Sequence, residues 1–252
     1  MEEQHKTDGI TEIAGESPEM RGERRNVIFS VIISGFLLLC IWTIWFFERW
    51  FHLDLHFLAL EPRTISGLPG IFFEPLLHGN FNHIASNSIP LFLLLTGALY
   101  FYRGAGLKAL VWIWFLTGTL VWLFGRPNLH IGASGIVYGL ASFHAFSGFI
   151  RNDLRLMSIS LLTIFLYGSM IWGIFPLFPG VSWETHLMGG LSGLYTAIRF
   201  RKEGPQPRKY FDDEPPDEPG EPETPSEEPP LQSHANISIH YVYREKPNSE
   251  SN

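Results

Sequence analysis

Long apolar stretches alternate with short polar connections over most of the chain. A helix needs about 20 mostly apolar residues to cross roughly 30 Å of hydrocarbon. By this criterion the pattern predicts six transmembrane helices, of which the sixth is short and rich in glycine. We expect the sixth helix to pack against protein on most of its sides, because glycine lets neighbouring backbones approach closely. The six predicted spans are residues 27–47, 84–102, 109–125, 131–150, 156–174 and 183–198.

Lysine and arginine are distributed unevenly around these spans, and this predicts their orientation. Cytoplasmic connections of membrane proteins carry an excess of Lys and Arg. One side of the predicted bundle is basic, whereas the other carries only Arg49, Arg63 and Arg126. We therefore predict that both termini are cytoplasmic and that residues 49–77 form a long external loop. The basic side comprises Arg21, Arg24, Arg25, Arg103, Lys108, Arg151, Arg155, Arg199, Arg201 and Lys202.

The segments outside the spans differ from them in composition. The polar start of the chain predicts that no signal peptide is cleaved and that the first span serves as the targeting signal. Proline and acidic residues dominate residues 205–230, which are too polar to bury a core. We predict an all-α membrane protein in three parts. These are a disordered cytoplasmic N-terminus (1–25), a six-helix membrane domain (26–200) and an acidic, Pro-rich, disordered cytoplasmic tail (201–252).

Composition excludes several classes of site. The chain has one cysteine, Cys40, so it cannot hold a disulfide framework or a cysteine metal cluster. His52 and His56 stand four residues apart, but Asp54 would lie on the opposite face of a helix and no third ligand is evident. We interpret the aromatic residues 50–57 as a segment in the membrane interface. We expect no metal, no cofactor and no nucleic-acid partner.

Three polar clusters interrupt the apolar pattern, each at the external end of a predicted span. They are His78–Asn87, His130–Gly139 and Ser182–Gly193. Polar and ionisable groups within membrane helices are costly and raise a functional hypothesis by default. Because the three clusters lie at the same predicted depth, we expect them to converge on one pocket that water reaches from outside.

Each cluster on its own also has a structural interpretation. A Gly-x-Ser-Gly sequence around Ser134 is typical of a small-residue packing face, and Asn87 could be a hydrogen bond between helices. We interpret His144, deeper in the fourth span, as a satisfied polar contact. The coincidence of a serine, a histidine and several hydrogen-bond donors at one depth favours a catalytic site over these structural interpretations.

Taken together, the clusters resemble the signature segments of the rhomboid family of intramembrane serine proteases, of the bacterial type with a six-helix core. The resemblance covers about Pro62 to Ala197. It implies a Ser134–His186 catalytic dyad without a carboxylate. The further residues that it implies are His83 and Asn87 with the Ser134 amide as oxyanion hole, His78 as a brace, Tyr138 beneath the imidazole, and the glycines Gly132, Gly135 and Gly189.

The chemistry of the residues agrees with these roles. A serine hydroxyl becomes nucleophilic when a neighbouring base takes its proton, and the first amides of a helix favour negative charge on a substrate oxygen. We interpret Glu184 as a solvated carboxylate at the rim, because in a helix it points away from His186. Thr185 stands where many rhomboids carry glycine, and Thr185, Gly189 and Gly193 form a small-residue stripe. We expect this stripe to face Gly135 and Gly139 of the fourth span.

The resemblance also implies partners and location. We expect single-span membrane proteins as substrates, contact with the lipid bilayer, and residence in a bacterial plasma membrane. A rhomboid-like pseudoprotease is one alternative, although it would lack the serine or the histidine. A small-solute transporter is another, but it would show internal repeats and midplane polar groups. A zinc protease would need a His-Glu-x-x-His motif, which the sequence lacks.

Overall fold

A computed structural model describes residues 17–178 and 180–206. The predictions for the ends of the chain, including most of the acidic tail, lie outside the described residues. The helices are α1 (Pro18–Trp50), α2 (Gly70–Phe73), α3 (Phe81–Phe101), α4 (Gly106–Phe124), α5 (Ser134–Arg151), α6 (Leu154–Tyr167) and α7 (Trp183–Arg199). Short 3-10 helices cover His56–Leu58, Glu74–Leu76 and Gly168–Ile174, the last continuing α6.

The prediction of an all-α, multi-pass membrane protein is confirmed. Four helical stretches among the described residues are long and apolar enough to cross a membrane. They are Pro18–Trp50, Phe81–Phe101, Gly106–Phe124 and Leu154–Ile174. Helices α5 and α7 occupy the fourth and sixth predicted spans but fall outside this group, so the number of crossings and the side of the termini stay predictions.

Helix α5 lies at the centre of the bundle. This central position explains why α5 and α7, which pack against each other, are less apolar than the four membrane-spanning candidates. Helix α5 packs against α3, α4, α6 and most extensively against α7. A helix that faces protein can carry small and polar residues that a lipid-facing helix cannot. The buried residues of α5 include Ser147, His144 and three glycines.

The predicted contact between small residues of α5 and α7 is confirmed. A Cβ atom built on Gly189 would collide with the Gly135 backbone, and one on Gly193 with the Gly139 backbone. Thr185 packs against Gly135 at the same interface. Leu191, Tyr195 and Ile198 are exposed on one face of α7, whereas the remaining apolar and small residues of the helix are buried or half-buried, as the sequence predicts for a helix that packs against protein on most of its sides.

Two ends of the membrane domain differ from the predicted boundaries. Helix α1 begins at Pro18 rather than near Val27, because the Ser17 side chain accepts a hydrogen bond from the Met20 amide at 3.2 Å and proline suits the first helical turn. Residues 18–25 are therefore helical rather than disordered. At the other end the buried Arg151 guanidinium donates to the carbonyls of residues 200, 201, 203 and 205, so residues 201–206 are held on the domain.

Candidate active site

One cavity of about 900 Å³ brings together five of the residues that the sequence singles out. Its walls come from the first turns of α3, α5 and α7, from the end of α6 and from the 3-10 segment Gly168–Ile174. Ser134 and His186 are both half-buried in it. The five residues are Ser134, His186, His83, Asn87 and Tyr138.

A strained turn presents Ser134 to this cavity. Gly132 adopts φ = +112°, a backbone conformation that other residues rarely take. A Cβ atom at this position would also lie 2.6 Å from the imidazole of His83. Ser134 is the first residue of α5, so its amide has no carbonyl partner within the helix. The turn thus supplies a hydroxyl and a free N–H at the same point.

The imidazole of His186 is fixed by a backbone carbonyl. Its Nδ1 lies 2.9 Å from the Gly173 oxygen. Because a carbonyl only accepts hydrogen bonds, Nδ1 carries the proton and Nε2 is left with a lone pair. The Tyr138 ring stacks on the imidazole, with centroids 4.1 Å apart and planes 6° from parallel. The ring of His186 therefore has a defined tautomer and orientation without a carboxylate.

The 3-10 segment that orients His186 was not singled out in the sequence. Besides the Gly173 carbonyl it contributes the Met170 carbonyl, which accepts a 2.9 Å hydrogen bond from the Tyr138 hydroxyl. A Cβ atom on Gly173 would lie 3.1 Å from His186 Nδ1 and would collide with the Tyr138 hydroxyl. Both functional groups are backbone carbonyls, which any sequence provides. Gly173 was therefore the only feature of the sequence that could have drawn attention to this segment.

Ser134 and His186 share the cavity, and no hydrogen bond joins their side chains within the described residues. Within the described residues, neither Ser134 Oγ nor His186 Nε2 makes a hydrogen bond. Catalytic hydrogen bonds are often long without substrate and shorten in the productive complex. Both atoms are thus free to engage a substrate and each other.

His78 lies behind the cavity and links two of its walls. Its Nε2 is 3.3 Å from both the Ala133 amide and the Asn87 side-chain nitrogen. Because an amide donates, Nε2 must be the unprotonated nitrogen and must accept both bonds. Burial, reinforced by the nearby His83, lowers the pKa of His78 to about 3, which keeps the ring neutral. His78 therefore aims the Asn87 amide group and leaves its second N–H for the cavity.

Glu184 is not the solvated rim carboxylate that the sequence predicts. It is 3% exposed and forms a bidentate ion pair with Arg126, from the connection between α4 and α5. Arg126 also lies over the Trp183 ring, with 5.7 Å between guanidinium carbon and ring centroid. The prediction was wrong because a helical position says nothing about a partner from a distant loop. Since His186 Nδ1 is bonded to Gly173, Glu184 does not orient the imidazole.

Glu74 is a second buried carboxyl that sequence reasoning missed. It lies in the external loop and is 2% exposed. Its Oε1 is buried and has no hydrogen-bond partner among the described residues, whereas its main-chain carbonyl accepts a 2.8 Å hydrogen bond from the Gly132 amide. The sequence did contain a feature that could have indicated Glu74, because it is the only acidic residue between positions 62 and 152.

The other polar residues of note have local roles. His144 is buried, and its Nε2 donates to the Leu94 carbonyl at 2.9 Å, as predicted, whereas its Nδ1 has no hydrogen-bond partner among the described residues. In the external loop His56 Nδ1 lies 2.7 Å from Asp54 Oδ1. The described residues contain no group of three or more side chains suited to a metal ion.

Comparison with known proteins agrees with the geometry. A family model, the Rhomboid domain, matches residues 67–203. An uncharacterized protein of Mycobacterium tuberculosis is 39% identical over 153 residues, which cover 55% of this chain and 62% of that protein. An uncharacterized protein of Mycobacterium leprae is 37% identical over 142 residues, covering 51% and 54% respectively. The chain thus spans less than two thirds of the length of these relatives. Since the family model covers more than half of the chain, this protein belongs to the rhomboid family of intramembrane serine proteases.

Proposed function

We propose that the chain is an intramembrane serine endopeptidase in which Ser134 is the nucleophile and His186 the general base. One observation carries the proposal: His186 Nδ1 is bonded to the Gly173 carbonyl, so the basic Nε2 opens into the cavity that holds Ser134. With its proton on Nδ1, His186 already has the tautomer that a general base acting through Nε2 must have. No proton has to move within the ring before reaction.

The proposed reaction proceeds by two acyl transfers. Ser134 Oγ attacks the carbonyl carbon of the scissile peptide while its proton passes to His186 Nε2. The oxyanion accepts hydrogen bonds from the Ser134 amide, the Asn87 side chain and a protonated nitrogen of His83. His186 then gives its proton to the leaving amine. Water, activated by the same Nε2, hydrolyses the serine ester and releases the carboxylic acid.

Gly173 and Tyr138 take the place of the aspartate of soluble serine proteases in this proposal. The carbonyl fixes the tautomer, and the stacked phenol ring keeps the imidazole from rotating. Neither supplies a negative charge to stabilise an imidazolium. We therefore infer that the dyad depends more on position than on electrostatic assistance.

The position of the cavity supports single-span membrane proteins as substrates. Its lining includes Ser86 and Pro90 of α3 and Leu166 of α6, residues that belong to two of the apolar membrane helices. A peptide bond near the external end of a membrane segment would reach Ser134 at that depth. We propose a bacterial plasma membrane as the location, with the cavity on its external side.

The test is cleavage of a single-span model substrate by the purified protein in detergent. The proposal predicts a defined product from the wild type and none from Ser134→Ala or His186→Ala at equal folded amounts. Product formation by Ser134→Ala at the wild-type rate would overturn the dyad. A folded wild type that cuts no single-span substrate would count against the proposed endopeptidase activity.

A further inference from the structure

The first turn of α7, which carries His186, is not stabilised by a cap of its own. Ser182 occupies the N-cap position, where a serine hydroxyl normally accepts a hydrogen bond from an amide two or three residues further on. Here the Ser182 side chain makes no such bond. The backbone hydrogen bonds of residues 175–181, among those that the structure describes, join only close neighbours in sequence. The position of this turn therefore depends on contacts from other parts of the chain.

Two side chains at this end of α7 find their partners in the segment that leads to Ser134. The Glu184 carboxylate, which is 3% exposed, forms the bidentate ion pair with Arg126. The Ser182 hydroxyl lies 2.5 Å from Nδ1 of His130. We name these four residues the clamp: Arg126 and His130 on the serine side, Ser182 and Glu184 on the histidine side.

The hydrogen bond between His130 and Ser182 has a defined direction. His130 Nε2 lies 3.1 Å from the Arg126 carbonyl, which only accepts, so Nε2 carries the ring proton. Burial lowers the pKa of His130, which agrees with a neutral ring whose Nδ1 accepts from the Ser182 hydroxyl. Arg126 thus contributes to the clamp with its carbonyl as well as its guanidinium. Because His130 is buried, water does not compete for these bonds.

The serine side of the clamp is anchored by backbone contacts that do not involve α7. His130 exchanges two backbone hydrogen bonds with Leu60, at 2.8 and 3.1 Å. The Gly132 amide donates to the Glu74 carbonyl at 2.8 Å. The chain is therefore fixed at two points just before Ser134. The clamp attaches the start of α7 to a segment that other bonds already hold in place.

The clamp and the small-residue contact between α5 and α7 lie on opposite sides of His186 in the sequence. Gly189 meets Gly135 one turn after the histidine, whereas Glu184 meets Arg126 two residues before it. A single contact leaves a helix free to tilt about that point. Two contacts, one on each side of His186, fix both the spacing and the tilt of the turn that presents the imidazole.

We propose that Glu184 is a positioning residue for the dyad: its ion pair with Arg126 holds the first turn of α7, and with it His186, against the segment that leads to Ser134. This inference rests on the proposed function. Glu184 acts on the position of the helix and not on the imidazole itself, whose Nδ1 is bonded to the Gly173 carbonyl. A buried carboxylate thereby supports the dyad without being the third member of a triad.

Substitution of Glu184 tests this role through kcat and KM. Glu184→Leu removes the carboxylate at similar size, and no charge is left buried because the Arg126 side chain is 53% exposed. Its kcat for a single-span substrate in detergent should fall about tenfold, since a shift of about 1 Å can cost roughly 10²-fold and the small-residue contact remains. KM should stay nearly constant, because neither residue lines the cavity. Glu184→Gln keeps hydrogen bonds to Arg126 and should retain about half of the wild-type kcat.

Two further variants show whether Glu184 acts through Arg126. The double variant Arg126→Leu/Glu184→Leu should be no slower than Glu184→Leu, because both residues belong to one contact. Glu23→Leu is the control: it breaks the ion pair with Arg103, near the far end of α3, and should keep the wild-type kcat. A kcat for Glu184→Leu within about twofold of wild type at equal folded amounts, or a further loss of about tenfold in the double variant, would overturn the inference.

A milder variant decides the question if Glu184→Leu does not fold. Arg126→Lys keeps a positive charge beside Glu184 but loses the two parallel hydrogen bonds of the guanidinium. Its kcat should fall at least about threefold with KM nearly unchanged. A wild-type kcat in folded Arg126→Lys would refute the clamp.

The stacked rings of Tyr138 and His186 provide a readout that needs no turnover. The rings lie nearly parallel with 4.1 Å between centroids, so the His186 ring protons should be shifted upfield in the proton NMR spectrum in detergent. Because Tyr138 belongs to α5, this shift reports where α7 lies relative to α5. The shift should shrink in Glu184→Leu and persist in Glu23→Leu. An unchanged shift in Glu184→Leu overturns the positioning role, whereas the expected changes in a protein that cuts no substrate support the clamp and overturn the protease.

Discussion

We expect the contact between α5 and α7 to set the distance between Ser134 and His186. The substitution Gly189→Ala tests this expectation most sharply. A Cβ atom at position 189 would lie 3.0 Å from the Gly135 carbonyl carbon and closer still to its oxygen. Carbon atoms pack best at about 3.5–4.0 Å, so the helices would have to separate by about 0.5–1 Å. Gly135 follows Ser134 directly, and His186 lies one turn before Gly189, so the separation of the helices would change the distance between Ser134 and His186.

The expected effect is large on rate and smaller on stability. A displacement of about 1 Å can cost roughly 10²-fold in rate, so we expect kcat to fall between about tenfold and a hundredfold. Overpacking a well-packed contact costs about 1–3 kcal/mol, which should lower the Tm without unfolding the protein. KM should change little, because Gly189 does not line the cavity.

The chain offers a matched control at the next position. A Cβ atom on Gly190 meets no atom within 4 Å, so Gly190→Ala adds the same methyl group to the same helix without a collision. It should retain wild-type kcat. The assay is cleavage of a single-span substrate in detergent at equal folded amounts, with the rate of covalent labelling of Ser134 as a second readout. A kcat for Gly189→Ala within twofold of wild type would refute the packing argument.

Three further perturbations have defined outcomes. Asn87→Ala should lower kcat on the order of 10²- to 10³-fold through loss of one oxyanion donor, and an unchanged kcat with a lower Tm would instead assign Asn87 to helix packing. Gly173→Ala should lower kcat and leave KM nearly unchanged, since the added methyl group displaces the imidazole; full kcat would contradict the fixed tautomer. A chain that ends at Gln206 should keep wild-type activity and Tm, whereas one that ends at Lys202 should also cleave but with a lower Tm, because Arg151 loses two of its carbonyl partners. Equal Tm values for the two truncations would argue against that contact.

The helices and the polar residues that line the cavity could be predicted because both leave local patterns in the sequence. An apolar stretch of the right length predicts a membrane helix from hydrocarbon thickness alone. Glycines that recur every four residues define the face that meets a neighbour, as Gly189 and Gly193 do. Ser134 and His186 stand out because polar groups are rare in such helices.

The supporting contacts could not be predicted because they join distant parts of the chain or use backbone atoms. The Gly173 carbonyl that holds His186 has no signature in side-chain chemistry. Glu184 looked solvated because its partner Arg126 lies 58 residues away. The early start of α1 depends on a single cap at Ser17, which a search for apolar residues overlooks.

Covalent labelling with a serine-directed phosphonate tests the central assignment most directly. The reagent reacts with a serine only when a neighbouring base activates it, so labelling reports the dyad without requiring the natural substrate. We expect one adduct, located on Ser134 by mass spectrometry, and strong suppression of labelling in His186→Ala. An adduct on another serine, or undiminished labelling in His186→Ala, would contradict the assignment of Ser134 as nucleophile and His186 as its base.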